Sequence, residues 1–176
     1  PPLRARPGAQ SEASVIEPAL DWLARHQSAG GSWDCDGFGA RCKDGKCPGP
    51  GGALYDSGVT GLATLAFLGA GETHKTPKHG ETVQGALKYL KGIQDAEGCF
   101  GSRVSGHFVY DHALGTLAMA EAYGLTQSPL FQTSAQQGVD FILSARNPYL
   151  AWRYGVKPQD NDSSVTTWMV MALRSA

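Results

Sequence analysis

The chain has 176 residues, 41% of them hydrophobic, and a formal net charge of −1 at pH 7. This length and apolar content allow one domain with a sizeable core. The lysines and arginines are scattered, so no basic stripe indicates nucleic-acid binding. No apolar run reaches the roughly 18 residues that a membrane-spanning helix requires, so we expect no transmembrane segment.

The first residues predict a lead-in followed by a helix. Residues 1–13 are rich in Pro, Gly, Ala and charge, which is typical of a flexible segment. Ser14 and Glu17 have the spacing of a capping box, while Pro18 suits a first helical position, so the first helix is expected to begin within 14–18. The pair Gly30-Gly31 should end it.

The rest of the chain predicts a cysteine-containing loop over 34–54 and five more helices. The first, third and fifth helices are amphipathic, whereas the others are apolar or small nearly all round and are therefore expected to be buried. No segment shows the sustained alternation of a strand. The sequence thus predicts an all-α protein of three helical hairpins, with the later helices at about 56–68, 81–94, 111–124, 128–146 and from 162 onward.

One segment of 15 residues occurs three times without a gap, at 19–33, 86–100 and 138–152. Such self-similarity indicates a repeat architecture, here with repeats of about 14–74, 81–126 and 128–176. One column holds Gln in two copies and Arg146 in the third, and the last column holds an aromatic ring. Gln at the end of an outer helix can bind the loose backbone groups of the next turn, with the ring stacked over it. We therefore expect structural roles for Gln27, Gln94, Trp33, Phe100 and Trp152.

A second column that recurs in all three copies is acidic. It holds Asp56, Asp111 and Asp162, just before or at the start of the apolar helices. The distance from the closing ring to this Asp is 23, 11 and 10 residues, so the first copy has about a dozen extra loop residues. An Asp at this place is the expected N-cap. Recurrence in every copy favours the capping role over catalysis.

The pattern Ala19…Trp22-Leu23…Gln27…Gly31-Ser32-Trp33 resembles the QW motif of squalene and oxidosqualene cyclases. The resemblance extends over roughly 15–176, although the third copy has Arg146 for Gln and Leu150 for Gly. It implies a partial (α/α) toroid like that of terpenoid cyclases, protein prenyltransferase β-subunits and complement-type thioester domains. Complete rings of that kind have about five to seven hairpins, so three hairpins imply part of a ring.

The same resemblance nominates catalytic residues. Asp160-Asn161-Asp162-Ser163 is similar to the Asp-x-Asp-Asp stretch of squalene–hopene-type cyclases, which implies Asp162 as the proton donor and Asp160 as its neighbour. Such an acid has to stay protonated in a dry cavity. Since Ser163 replaces the third Asp, the capping role of Asp162 is favoured.

Asp111 and His112 occupy a position at which zinc prenyltransferases place metal ligands. A catalytic zinc ion needs three protein ligands, but Ala113 stands where a Cys would be required. The set is incomplete, so His112 is expected to be a surface or cap residue. We expect no metal and no cofactor.

The four cysteines suggest disulfide bonding. Three lie in the loop over 34–54 and the fourth lies in the equivalent turn of the next hairpin, and neighbouring repeats place equivalent turns on one rim. The spacing Cys42-x4-Cys47 is at the loose edge of what zinc sites use. At least one disulfide is therefore expected, with the three pairings left open, and with it an exported, oxidising location. The set is Cys35, Cys42, Cys47 and Cys99.

These observations predict a helical-repeat binding or scaffold module that is not catalytic by itself. Its expected partners are further repeats of the same parent chain or another copy, because the last helix has few polar residues to face water. An apolar ligand is a further candidate partner. The alternative is one lobe of a terpene-cyclase-like enzyme that cyclises an isoprenoid by acid initiation. Small residues such as Gly61, Gly115 and Ala118 favour a filled interior and hence the scaffold.

Overall fold

A computed structural model describes residues 9–43, 45 and 47–176, with the backbone alone for 9–14. Two short 3₁₀ turns, Phe38–Arg41 and Ala53–Tyr55, lie between the first two helices. The described residues contain no strand beyond an isolated antiparallel bridge between Gln94 and Phe100, so the all-α prediction is confirmed. None of their helices is long and apolar enough to cross a membrane. The helices are α1 (Ala9–His26), α2 (Asp56–Gly69), α3 (Gly80–Ile93), α4 (Phe108–Thr126), α5 (Pro129–Ala145) and α6 (Ser163–Ser175).

Helix α1 begins earlier than predicted. Its first residue is Ala9, so residues 9–13 are helical and the flexible lead-in is wrong for them, while residues 1–8 of that prediction lie outside the described residues. Ser14 therefore lies inside the helix, five positions after its first residue. Pro18 also lies inside α1, where it removes one backbone hydrogen bond. The preceding Ala, Gln and Glu residues are good helix formers, which favours continuing the helix past that defect.

Helix α4 is the centre of the molecule. It packs against α2, α3, α5 and α6, and consecutive helices also contact each other along the chain. Glycines allow this close approach, because a Cβ on Gly61 of α2 would lie 2.9 Å from the carbonyl carbon of Leu114. Likewise, a Cβ on Gly115 of α4 would lie 2.8 Å from a ring atom of Phe100.

The predicted burial of the even-numbered helices holds fully only for α4. Val109, His112 and Met119 of this helix are all inaccessible, and most of its other residues are buried. Helices α2 and α6 each contact one other even-numbered helix, α4, and each leaves apolar side chains exposed. The four most relevant are Val59, Leu62, Val170 and Met171.

The Gln residues of the first and second copies connect their turns to the next odd-numbered helix. Gln27 Nε2 donates to Gly31 O in its own turn and to Thr82 O on α3, both at 2.9 Å. Gln94 Nε2 donates to Gly98 O and to Ser134 O on α5, both at 3.0 Å. Thr82 and Ser134 occupy the same column of the repeat, four residues before its first small residue. The structural role of both Gln side chains is confirmed.

The aromatic rings at the end of the repeated segment are buried in all three copies. Trp33 and Trp152 are buried, and their Nε1–H groups donate to the carbonyls of Leu23 at 2.9 Å and Ile142 at 2.8 Å. Both acceptors lie ten residues before the ring. Phe100, the ring of the middle copy, is fully buried without such a bond. All three rings therefore belong to the core, as predicted.

Candidate functional site

The Asp residues of the acidic column differ in what their carboxylates bind. Asp162 is the N-cap of α6, and its Oδ1 accepts a hydrogen bond from Val165 N at 2.9 Å, so the predicted cap is confirmed. Asp56 is instead the first residue of α2, and its Oδ1 accepts from the backbone N–H of Cys35 at 2.8 Å. The predicted cap at Asp56 is wrong, because its carboxylate orders the preceding loop.

The acidic stretch before α6 is not arranged as an enclosed acid. Asp160 is exposed and pairs with Arg153 at 2.6 Å. The adjacent Asn161 binds the backbone N–H of Ala151 through its Oδ1, at 2.9 Å. These contacts organise the third turn. A further residue, which the sequence analysis missed, contributes a buried side chain to the same turn.

That residue is Asn147, which is 1% exposed. Its Nδ2 donates to Asp160 O at 2.5 Å and its Oδ1 accepts from Gln159 N at 2.9 Å. It follows Arg146 directly in the repeat, so an Asn next to the missing Gln was the available signal. Asn147 takes over part of the turn-ordering role that Gln has in the other copies.

Asp111 is a buried carboxyl and not a cap of its own helix. Helix α4 begins three residues earlier, and Asp111 faces the start of α2, where a Cβ on Gly58 would lie 2.2 Å from its Oδ1. Its Oδ2 is buried without a hydrogen-bond partner. Burial raises the pKa of Asp111 to about 6, opposed by hydrogen bonds from the Ser57 hydroxyl and the Gly58 backbone.

Asp111 has a raised pKa but is only 4% exposed. A cleft of about 370 Å³ opens nearby, and its walls include Ser57 and Gly101 but not Asp111. A Cβ on Gly101 would lie 2.5 Å from Ser57 Oγ and 3.6 Å from Asp111 Cβ, so Gly101 packs closely on both residues. The arrangement holds α2 and α4 together.

His112 is fully buried, so the expected surface position is wrong. Its Nδ1 accepts from the backbone N–H of Phe100 at 3.1 Å, which leaves the proton on Nε2 to donate to Gly138 O at 3.2 Å. Burial lowers the pKa of His112 to about 3. Both nitrogens are used within the core, so His112 is a neutral structural residue.

The bond between Phe100 and His112 has counterparts in the other copies. The backbone N–H of Trp33 donates to Thr60 Oγ1 at 3.0 Å, and that of Trp152 donates to Thr166 Oγ1 at 3.3 Å. The middle copy has Gly115 in the Thr column. His112 provides the acceptor there because the large Phe100 ring packs directly on that glycine.

The cysteines do not form the expected disulfide. No disulfide joins any two of the four, all of which lie in the described residues. Cys99 is fully buried in the core around α4, α5 and α6, which separates it from the loop over 34–54. Burial is the main factor that raises the pKa of Cys99 and of Cys35 to about 12. The exported location, which depended on the disulfide, loses its support.

Two of the loop cysteines lie beside a histidine that the sequence analysis missed. Cys42 Sγ, Cys47 Sγ and a ring nitrogen of His26 all lie within 4.8 Å of one another. Cys47 Sγ is 3.4 Å from His26 Nε2. The signal for His26 was its place at the end of α1, next to the enlarged loop of the first copy.

Two further groups of metal-ligand type are carboxylate-rich. Glu17 and Asp21 lie beside His79, but the ammonium group of Lys78 pairs with both carboxylates and supplies the positive charge. The third group is acidic alone and consists of Asp34, Asp36 and Asp56.

An apolar groove lies at the carboxyl ends of the even-numbered helices. Its volume is about 650 Å³, and its lining includes the charged residues Glu121 and Arg174. Its apolar wall comes from all three helices and comprises Leu65, Leu68, Leu117, Leu125 and Met171.

No protein-family model, curated protein or solved structure matches this chain.

Proposed function

We propose that this chain is a helical-repeat scaffold or binding module, part of an (α/α) toroid of the terpenoid cyclase and prenyltransferase type, and not catalytic by itself. The observation that carries the proposal is the contrast between α4 and its neighbours. Helix α4 is flanked by α2 and α6 and is buried, whereas α2 and α6 expose apolar residues. In repeat architectures each unit covers its neighbour, so the two exposed faces are sites for further hairpins.

The contacts between repeats support the toroid. Gln27 and Gln94 join successive odd-numbered helices by the same two hydrogen bonds, and the even-numbered helices contact each other in the order α2, α4, α6. A relation repeated between successive hairpins generates a curved array when it continues. This supports a module built to extend through more hairpins of its own kind.

The interior supports the absence of catalysis. Gly58 and Gly61 of α2 lie so close to Asp111 and Leu114 of α4 that a Cβ on either glycine would clash, so no aromatic-lined chamber separates α2 from α4. Asp162 is engaged as a cap and Asp160 as an exposed ion-pair partner. An acid-initiated cyclisation needs a protonated acid facing substrate in a dry cavity, and neither carboxyl is placed that way.

The partner that fits the exposed faces is another hairpin of the same repeat, from another copy or from further repeats of the parent chain. Leu62 and Val59 on α2 and Val170 and Met171 on α6 are aliphatic or thioether side chains, 36–49% exposed. Such residues gain by burial against similar surfaces. The groove at the carboxyl ends is the place for an apolar ligand, since most of its lining is aliphatic.

Sedimentation velocity at low micromolar concentration tests the proposal. We expect self-association, together with binding of a hydrophobic dye to whatever monomer remains. Leu62→Glu and Met171→Glu should each weaken association about tenfold or more, because each places a charge in an apolar contact. Leu143→Glu on α5 is the matched control, since Leu143 is 53% exposed but lies on an odd-numbered helix.

Mixing the two variants identifies the geometry of association. In a contact between the α2 face of one copy and the α6 face of another, each variant keeps one intact face, so an equimolar mixture should form a dimer that neither forms alone. A cooperatively folded monomer that binds no dye would contradict the proposal. Turnover of an isoprenoid that Asp162→Ala abolishes without changing the melting temperature would establish the enzyme instead.

A further inference from the structure

The loop between α1 and α2 is longer than the corresponding loops of the other two copies. In the first copy, the acidic column lies 23 positions after the closing ring, against 11 and 10 in the others. Cys42 and Cys47 both lie within this longer segment. The 3₁₀ turn Phe38–Arg41 contacts α1 and delivers Cys42 to the end of that helix.

The cysteines meet a histidine whose orientation is fixed. His26 is 4% exposed, its ring is stacked on Trp22 with the centroids 3.9 Å apart, and its Nδ1 is 2.7 Å from Trp22 O. A carbonyl oxygen can only accept, so the proton is on Nδ1 and the lone pair is on Nε2. Nε2 is the nitrogen that faces Cys47 Sγ, 3.4 Å away. An imidazole whose second nitrogen donates to a backbone carbonyl is in the form that metal-binding histidines use.

The spacing of the three ligand atoms is compatible with a tetrahedral site. With Zn–S near 2.3 Å and Zn–N near 2.0–2.1 Å, tetrahedral geometry places a sulfur about 3.6 Å from the nitrogen and about 3.8 Å from a second sulfur. The observed sulfur–nitrogen distance is 3.4 Å, and all three ligand atoms lie within 4.8 Å of one another. Closing the group around an ion therefore requires movements of at most about 1 Å.

The electrostatic setting also suits a cation. His26 is the last residue of α1, where the helix dipole is negative. Binding a divalent ion would release the two thiol protons to solvent, and the resulting pair of thiolates would neutralise the two positive charges of the ion. Two thiolates and one imidazole favour zinc over magnesium or calcium, which prefer oxygen ligands.

We propose that His26, Cys42 and Cys47 form a Zn²⁺ site, with water as the fourth ligand, that binds the enlarged loop to the end of α1. Cys35 lies outside this set, because its backbone N–H donates to Asp56 and its sulfur is not among the converging atoms. The site is independent of the proposed scaffold function, since it lies within one copy of the chain.

The experiment uses the full chain, freed of metal with a chelator under reducing conditions and then titrated with Zn²⁺ against a chromogenic competitor. We expect one Zn²⁺ per chain and a rise in melting temperature on binding. Cys42→Ser, Cys47→Ser and His26→Gln should each lower the affinity by about 100-fold or more, beyond the usual loss from an outer-shell change. Cys35→Ser, a change at a cysteine in the same loop, should leave the affinity unchanged.

Co²⁺ gives a second readout that does not depend on the stability of His26→Gln. The wild-type complex should show sulfur-to-cobalt charge transfer and the intense visible bands of tetrahedral coordination. Either single Cys→Ser change should reduce the charge-transfer absorbance per bound Co²⁺ to about half, because one of two thiolates is lost. Failure to bind Zn²⁺ stoichiometrically at micromolar concentrations, or an equal loss in Cys35→Ser, would overturn the proposal.

Discussion

Gly31 and Gly85 are in contact through their backbones, at the point where the first turn meets α3. A Cβ on Gly31 would lie 2.2 Å from Gly85 O, and Gly31 has φ +92°. Gly98 stands in the same relation to Gln137 on α5, with φ +91° and the same 2.2 Å. The glycine of the repeat is therefore required twice over, for its backbone conformation and for the approach of the next outer helix.

The first prediction follows from this contact. Gly31→Ala should lower the free energy of unfolding by about 2–4 kcal/mol, because it combines left-handed strain with a backbone clash. Gly30→Ala is the matched control: nothing lies within 4 Å of its Cβ position, and the change should stay within about 0.5 kcal/mol. Urea denaturation of both variants measures the difference, and equal stabilities would show that the contact is unimportant.

The second prediction concerns the cap of α6. Asp162→Ala removes the acceptor for Val165 N–H and should cost about 0.5–2 kcal/mol of stability. Asp160→Ala changes an exposed carboxylate that pairs with Arg153 and should cost less than about 0.5 kcal/mol. Thermal unfolding of the two variants separates a capping role from a general effect of removing charge. A larger loss in Asp160→Ala would contradict it.

The third prediction concerns the pH dependence that Asp111 causes. Its pKa is about 6 in the folded protein against 3.8 as the reference value, so between these values the folded state holds the proton and the unfolded state releases it. The contribution of Asp111 to stability therefore falls as the pH rises from about 4 to about 6. Asp111→Asn should stabilise the protein by about 1–3 kcal/mol at pH 8 and have little effect at pH 4.

Denaturation of wild type and Asp111→Asn at pH 4, 6 and 8 measures this effect. Asn can still accept the bonds from Ser57 and Gly58, so the variant tests charge while keeping those contacts. Asp140→Asn, at an exposed carboxyl on α5, is the control for the loss of one negative charge from the protein. A constant difference between wild type and Asp111→Asn across the range would contradict the buried-acid interpretation.

The fourth prediction concerns His112 and has the opposite sign. Its pKa is lowered to about 3, so the unfolded state takes up a proton below pH 6.5 while the folded state does not. The stabilisation is present above pH 6.5 and is lost as the pH falls toward 3, by about 2 kcal/mol at pH 5. In His112→Leu this loss should disappear, at the cost of unpaired buried groups at Phe100 and Gly138.

Urea titrations of His112→Leu at pH 8 and pH 5 provide the measurement. The destabilisation relative to wild type should be larger at pH 8 than at pH 5. If the variant does not fold at pH 8, the profile of the double variant Asp111→Asn, His74→Gln provides the test, because the opposing carboxyl and the second histidine with a lowered pKa are then both absent. A profile that is flat from pH 7 to 5 in that background would contradict the assignment.

The sequence determined the features that follow from local pattern and from repetition. Helix type, the Gln27 and Gln94 contacts, the Trp rings and the Asp162 cap were all predictable, because each depends on residues a few positions apart or on a column that recurs. The start of α1 was not, since good helix formers before Pro18 extended the helix past the expected break.

Tertiary structure alone decided the roles of residues in identical columns. Asp56, Asp111 and Asp162 are aligned, yet one orders a loop, one is buried against another helix and one is a cap. The alignment fixes position along the chain, whereas the packing of α4 between α2 and α6 fixes which carboxyl loses water. The approach of Cys42 and Cys47 to His26 could not be predicted from the sequence either. It depends on the path of a loop that has no regular sequence pattern.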